Sequence, residues 1–256
     1  MTTTDSKKIV LITGGSRGLG KNAALAVARQ GLNVIITYRA ARDEASAVVA
    51  ELRALGVRAA ALPLDAGDVK SFPAFFAELT RVLKTEFQAE KFDVLVNNGG
   101  QAGYAPFEAV TEELFDGLMN THFKGVYFLT QKALPLLNDG GRVLTISSGL
   151  ARFSMVGSSA YASMKGAIEV FTRYLAKELG PRGIAANCVA PGAVATDFGG
   201  GRLRGSEEMQ KHVAGVTALG RYGVPDDIGG VVAFLCTDAA RWINGQRIEV
   251  SGGMNL

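Results

Sequence analysis

The segment "YASMK" places a tyrosine, Tyr161, and a lysine, Lys165, four positions apart. On a helix that spacing puts a phenol and an ammonium on one face, one turn from each other. An unperturbed phenol titrates at about 10, too weak an acid to release a proton readily at neutral pH. A neighbouring cation stabilises the phenolate and lowers that value. The pair is therefore either a proton donor with the cation that tunes it or a solvated helix surface, and these residues alone leave both open.

A second chemistry is carried by "TGGSRGLG", with glycines at 14, 15, 18 and 20, between the apolar run "KKIVLIT" and the helical pattern "KNAALAVARQG". Glycine there lets the backbone turn tightly and lets a pyrophosphate approach the N-terminus of the helix, whose free N–H groups and dipole favour an anion. A strand, this turn and a helix make a dinucleotide site. An NAD-selective site carries an acid at the end of the second strand to bind the adenosine ribose. Here "NVIIT" is followed by Tyr38 and Arg39, and Arg17 adds a cation inside the glycine turn. Guanidinium pairs with phosphate through two parallel bonds, so the expected cofactor is NADP(H).

Positioning these groups needs a sheet. Short runs rich in Val, Ile and Leu recur near residues 10, 35, 60, 95, 145, 188 and 248, separated by longer segments of helical periodicity. The runs are apolar throughout and do not alternate, which suits strands covered on both faces. Strand and helix alternation implies a parallel sheet with right-handed crossovers. The expected fold is α/β, a Rossmann-type doubly wound parallel sheet of about seven strands with helices on both faces, in one domain spanning 1–256. The irregular insertion "TDFGGGRLRGSEEMQKHVAG", residues 196–215, has glycines beyond a strand end and is a candidate substrate lid.

Composition narrows the function. With 48% hydrophobic and 20% charged residues in 256, the chain can bury a large core. The net charge of +3 comes from 27 basic and 24 acidic residues without a dense basic run, which argues against nucleic acid as a partner. The start "MTTTDSKK" has no apolar leader, and no apolar run approaches the length of a bilayer, so a soluble, cytoplasmic protein with no membrane partner is expected. Cys188 and Cys236 lie in apolar stretches without CxxC spacing, and there are two histidines, so buried thiols and no metal site are expected.

Taken in order, Thr13-Gly14-x-x-x-Gly18-x-Gly20, "NNGG" at 97–100, Asn120, Ser148, Tyr161-x-x-x-Lys165, "PGAVAT" at 191–196 and the ending "INGQRIEVSGG" resemble the short-chain dehydrogenase/reductase family over essentially the whole chain. The resemblance implies that Thr13, Gly14, Ser16, Arg17, Gly18, Leu19 and Gly20 hold the pyrophosphate side of the cofactor. It also implies that Tyr38 and Arg39 flank the ribose and that Asp65 contacts the adenine. Asn97 would tie the fourth strand to its neighbours, beside Gly99. Pro191, Gly192, Val194 and Thr196 would lie along the nicotinamide, with Thr196 on its carboxamide. Asn120, Ser148, Tyr161 and Lys165 would be catalytic: Ser148 orients the substrate oxygen, Tyr161 gives it a proton, Lys165 lowers the tyrosine pKa and binds the nicotinamide ribose, and Asn120 holds a relay water. Gly99 stands where the family has alanine, and Ala66 where it has valine after the aspartate.

The expected function is NADPH-dependent reduction of a small-molecule carbonyl to a secondary alcohol. The main alternative within the family is a 3-oxoacyl-carrier-protein reductase, and an alternative of another class is a non-catalytic NADPH sensor or scaffold. A carrier protein is acidic and needs a basic patch beside the site. Asn138 and Asp139 stand where such residues are expected, which tilts the reading towards a free ketone, whereas Arg182 could join a patch. Phe198, Leu203 and Met209 in the lid suit an apolar or aromatic substrate. His122, two residues past Asn120, points to a different helix face and is read as structural; His212 is read as solvated. The family implies a homotetramer formed through the long helices that contain Asn120 and Tyr161 and through the last strand.

Overall fold

A computed structural model describes residues 7–256; the opening "MTTTDS", where the absence of a leader was read, lies outside the described residues. Seven strands form one sheet: Ile9–Ile12 (β1), Asn33–Tyr38 (β2), Ala59–Pro63 (β3), Phe92–Asn97 (β4), Leu137–Ile146 (β5), Ala185–Pro191 (β6) and Arg247–Val250 (β7). Their order is β3-β2-β1-β4-β5-β6-β7 and every pairing is parallel. The order reverses at β1, and its two neighbours are β2 and β4. A crevice opens there at the carboxyl ends of the strands, where open α/β sheets bind ligands.

The helices are Gly18–Arg29 (α1), Arg42–Ala54 (α2), Phe72–Val82 (α3), Glu112–Met119 (α4), Gly125–Ala133 (α5), Ser159–Leu179 (α6), Glu207–Gly215 (α7) and Pro225–Cys236 (α8). They cover both faces, which is why the strands are apolar throughout. Alternate residues of β1 enter different cores: Val10 and Ile12 join side chains of α1, α2 and α8, whereas Ile9 and Leu11 join those of α3, α5 and α6. Cys188 and Cys236 are free and buried within this packing. Among the described residues, no helix is long and apolar enough to cross a membrane.

The long helix that contains Asn120 is three pieces. Thr111 caps α4 by accepting a hydrogen bond from the Leu114 amide at 3.2 Å. A π turn, Asn120–Lys124, then inserts an extra residue before α5. Such turns concentrate at functional sites because they rotate side chains out of the α-helical register.

Candidate active site

The glycine turn after β1 is built for close approach. Gly14 has φ +66°, and a Cβ there would lie 2.8 Å from the Gly99 Cα, so the turn packs directly against the backbone after β4. A Cβ on Gly20 would lie 2.1 Å from the Gly14 carbonyl oxygen. The cradle is held from just past β4 by Asn98, a residue of "NNGG" whose role the sequence does not signal: its Nδ2 donates to Thr13 O at 2.9 Å and Gly14 O at 3.1 Å. Thr13 Oγ1 accepts from the amides of Asn98 and Gly99, each at 2.9 Å, so this buried hydroxyl shapes the cradle from beneath. Asn97 reaches the helix layer rather than a neighbouring strand, donating to Thr130 Oγ1 of α5 at 3.0 Å.

These residues fit a dinucleotide. Residue Arg17 at the N-cap of α1 makes no side-chain cap and the first turn carries no acid, which leaves amide donors and a positive helix end for a pyrophosphate. Arg17, after β1, and Arg39, after β2, are exposed, Ser16, Leu19 and Tyr38 are partly buried, and Asp65 is exposed, one carboxylate oxygen accepting the Gly67 amide at 2.8 Å. Across the crevice, Pro191, Gly192 and Val194 continue from β6, and a Cβ on Gly18 would lie 3.9 Å from the Cβ of the buried Thr196. The glycine turn and the β6 loop therefore form the two sides of one cleft.

Tyr161 and Lys165 lie on α6, as their spacing predicts, and both are buried. Ser148 follows the end of β5 and caps a short turn, Gly149–Ala151, by accepting the Leu150 amide at 3.2 Å. Lys165 Nζ lies 5.5 Å from the centre of the Tyr161 ring and donates to Ile146 O, the last carbonyl of β5, at 2.7 Å. An ammonium has three donors, so this bond leaves N–H groups for the hydroxyls of a ribose. Asn120 opens the π turn that packs on α6.

The electrostatics correct one expectation. The spacing leads one to expect that Lys165 lowers the Tyr161 pKa; burial instead pushes it above the ordinary phenol value, and the neighbouring Ser148 hydroxyl opposes that only in part. Burial lowers the Lys165 ammonium to about 8. Desolvation is the largest influence on each because both groups are out of water, and the ammonium is directed at the Ile146 carbonyl. Tyr161 thus holds its proton firmly at neutral pH.

His122 is buried in the π turn. Its Nε2–H donates to Gln101 O at 2.6 Å, its ring meets Tyr161 edge to face, and burial with Lys165 nearby lowers its pKa to about 3. Its contact with Tyr161 is not legible in the sequence, because the extra π-turn residue has no local signature. His212 is exposed on α7.

The segment 196–215 lies over this site. Gly199, Gly200 and Gly201 have φ of +66°, +76° and +70°, three successive left-handed residues that other types adopt only with strain. They carry Phe198, whose ring centre is 6.1 Å from that of Tyr161, and Arg202, whose guanidinium sits 5.8 Å above the Tyr104 ring. Asn138, Asp139 and Arg182 lie at the opposite end of the sheet, before or at the start of β5 and β6. Arg182 is held there by Asp139 Oδ1 at 2.7 Å and by the carbonyls of Leu134 and Leu137. The argument from those residues about an acidic carrier therefore does not apply, in either direction.

The family profile described as enoyl-(acyl carrier protein) reductase matches residues 14–255. A hydroxynaphthalene reductase-like protein, Arp2 of Metarhizium brunneum, is 37% identical, with 96% of this chain and 94% of the relative covered. Among solved structures, the angucycline C-6 ketoreductase LanV with bound NADP superposes with a TM-score of 0.92 at 34% identity, covering 97% of this chain and 95% of that one. A short-chain dehydrogenase from Burkholderia cenocepacia in complex with NADP gives 0.89 at 34% identity, covering 98% of each chain. The glycine cradle, the Tyr161–Lys165 pair and these likenesses across nearly the full length agree: the chain belongs to the short-chain dehydrogenase/reductase family of oxidoreductases.

Proposed function

We propose that the protein reduces an aromatic ketone to a secondary alcohol with NADPH, with Tyr161 as the proton donor. The observation that carries this reading is the convergence of the Tyr161 phenol, the Lys165 ammonium and the Ser148 turn at the carboxyl end of β5, opposite a glycine cradle on an uncapped helix. Bound NADPH supplies the hydride. Ser148 orients the carbonyl oxygen, and Tyr161, a neutral phenol at working pH, passes its proton to the developing alkoxide, a stronger base than a phenolate. Lys165 stabilises the phenolate left behind and donates to the ribose, and Asn120 holds the water through which the proton is replaced.

Arg17 and Arg39 read the 2′-phosphate, a reading supported by their exposure, Arg17 in the glycine turn after β1 and Arg39 just past β2, and by the relatives solved with NADP. Thr13, Gly14, Ser16, Gly18, Leu19, Gly20, Tyr38, Asp65, Asn97, Gly99, Pro191, Gly192, Val194 and Thr196 form the rest of the cofactor cleft. Residues 196–215 act as the substrate lid. Tyr104 and Phe198, at the lid and beside Tyr161, favour a flat aromatic substrate, in keeping with the named substrates of Arp2 and LanV.

The assembly that goes with this reading is a homotetramer in the cytoplasm. Its support is an exposed apolar face on α5 and α6, where Tyr127 stacks on Phe171 beside exposed Val170 and Tyr174, and a second around Phe234 and Trp242.

The test is the loss of NADPH absorbance, beside NADH, with aliphatic ketones, aryl ketones and one 3-oxoacyl thioester. Fastest turnover of aryl ketones with NADPH is expected, and Tyr161→Phe should lower kcat by about 10²–10⁴-fold with NADPH binding kept. Turnover confined to the thioester moves the protein to the carrier-bound alternative. Tight NADPH binding without any turnover makes it a sensor.

A further inference from the structure

One network of charges reaches the catalytic serine, the catalytic helix and the exit of the lid, although its members lie far apart in sequence. Arg152 closes the short turn that begins at Ser148, its amide donating to Gly149 O at 2.9 Å. Its guanidinium grips Glu249 of β7 with two bonds, Nε to Oε2 at 2.8 Å and Nη2 to Oε1 at 2.7 Å. The same guanidinium donates to Asn255 O at 2.9 Å and Met254 O at 2.7 Å.

The segment that supplies those two carbonyls is fixed in turn to the backbone just after α7. Leu219 N donates to Gly252 O at 3.0 Å, Ala218 N to Gly253 O at 3.1 Å, and Asn255 N to Val216 O at 2.9 Å.

On its other side, Glu249 accepts Arg247 Nη1 at 2.8 Å and Ser251 Oγ at 2.9 Å. Arg247 Nε donates to Glu169 Oε1 at 2.6 Å, and Arg247 Nη2 reaches the Ser148 carbonyl at 3.4 Å. Glu169 also accepts Ser147 Oγ at 2.8 Å and lies four residues past Lys165 on α6. Two guanidinium groups and two carboxylates therefore balance each other around the backbone on both sides of Ser148.

We infer that Arg152 is a positioning residue for the reaction: through Glu249 and the carbonyls of Met254 and Asn255 it holds the Ser148 turn in register with α6 and with the far end of the lid. The assignment rests on the ketone-reductase reading only for the role of Ser148. Two features favour it over a plain staple at a sheet edge. The guanidinium fork uses four of its five donors in one fixed geometry, which a point charge could not reproduce. The network also ends on the catalytic turn itself, where a shift of about 1 Å can cost about 10²-fold in rate. None of its hydrogen bonds involves the glycine cradle, so cofactor affinity has no reason to follow.

The experiment uses the full chain with Arg152→Ala, Arg152→Lys and Glu249→Gln. Hydrogen–deuterium exchange without substrate is read first: faster exchange is expected at residues 147–153 and 216–219, with residues 14–20 unchanged. On a ketone that the unsubstituted protein turns over, kcat should fall about 10- to 100-fold in Arg152→Ala and less in Arg152→Lys, with NADPH affinity within twofold. Guanidinium ion at millimolar concentration should restore part of kcat to Arg152→Ala. The inference is overturned if exchange at 147–153 is unchanged, if kcat stays within twofold, or if NADPH affinity falls in step with kcat. Should Arg152→Ala not fold, Arg152→Lys and Glu249→Gln carry the same readings. Failure of the unsubstituted protein to reduce any ketone sinks the reductase reading alone and leaves the exchange result to judge the coupling.

Discussion

The ring of His122 meets the ring of Tyr161 edge to face, with centres 5.1 Å apart and planes at 85°. The contact depends on a glycine: a Cβ on Gly100 would lie 2.7 Å from His122 Cε1, so the ring slides in over bare backbone. Nε2 donates to Gln101 O while the buried Nδ1 has no hydrogen-bond partner among the described residues, which makes the neutral ring the one the site accommodates.

A pH dependence of stability follows from that neutrality. His122 has a folded pKa of about 3 against an ordinary 6.5. Between those values the unfolded chain binds a proton that the folded protein does not, so stability falls as pH drops below 6.5 and the loss is complete near 3. At pH 5 the cost is on the order of 2 kcal/mol. Glu249, held at about 2 by Arg152 first and then Arg247 and Ser251, weakens the fold only below its ordinary 4.5, so a comparison of pH 7 with pH 5 falls in the His122 window and outside that of Glu249. Urea midpoints at pH 7 and pH 5 should therefore differ clearly in the unsubstituted protein and much less in His122→Gln. An equal drop in both assigns the acid sensitivity elsewhere.

Cofactor choice is tested at the end of β2. Arg39 is exposed, and its guanidinium gains most from a partner with two or more oxygens. Replacing it by aspartate removes one charge-assisted contact and adds repulsion. NADPH affinity is expected to fall by about 10- to 100-fold, from roughly 1.5–3 kcal/mol per such bond, while NADH changes little. Titration of the protein with each cofactor by fluorescence decides it, and equal weakening of both removes Arg39 from phosphate recognition.

The cradle predicts its own intolerance. Gly14 combines φ +66° with a Cβ position 2.8 Å from backbone, so alanine meets both strain and collision. Gly14→Ala should destabilise the fold by about 1–3 kcal/mol and weaken NADPH as the turn is pushed off β4. By contrast, a Cβ on Gly56, at φ +80°, meets nothing within 4 Å. Gly56→Ala should carry only the backbone strain and leave NADPH affinity intact. Thermal unfolding and cofactor titration of both variants separate the two effects.

Much of this architecture is legible in the sequence because its causes are local. The seven apolar runs coincide with the seven strands, and the glycine turn and the Tyr161–Lys165 spacing act within a few residues. What stays hidden has distant or cryptic causes. The π turn that brings His122 to Tyr161 has no composition signal, and Arg152 finds Glu249 97 positions away. Asn98 reads as a repeat of Asn97 until its bonds to Thr13 and Gly14 are seen. Asn138 and Asp139 follow the Asn120 helix in sequence and Arg182 follows α6, yet strand direction carries them to the far end of the sheet.

Lys165 offers a sharp test of how the site handles charge. Its ammonium is buried, directed at Ile146 O and lowered to about 8, so deprotonation begins within an accessible pH range. The sign is direct: below pH 8 the cation is present to hold a ribose and to stabilise a phenolate, and above it both are lost. The value of kcat/KM for NADPH, which reports the free enzyme, should therefore decline as pH rises through about 8. In Lys165→Met the whole profile should lie lower, by at least about tenfold, and the limb near 8 should vanish. A limb that survives in Lys165→Met belongs to another group, and the lysine then serves placement without titrating in the working range.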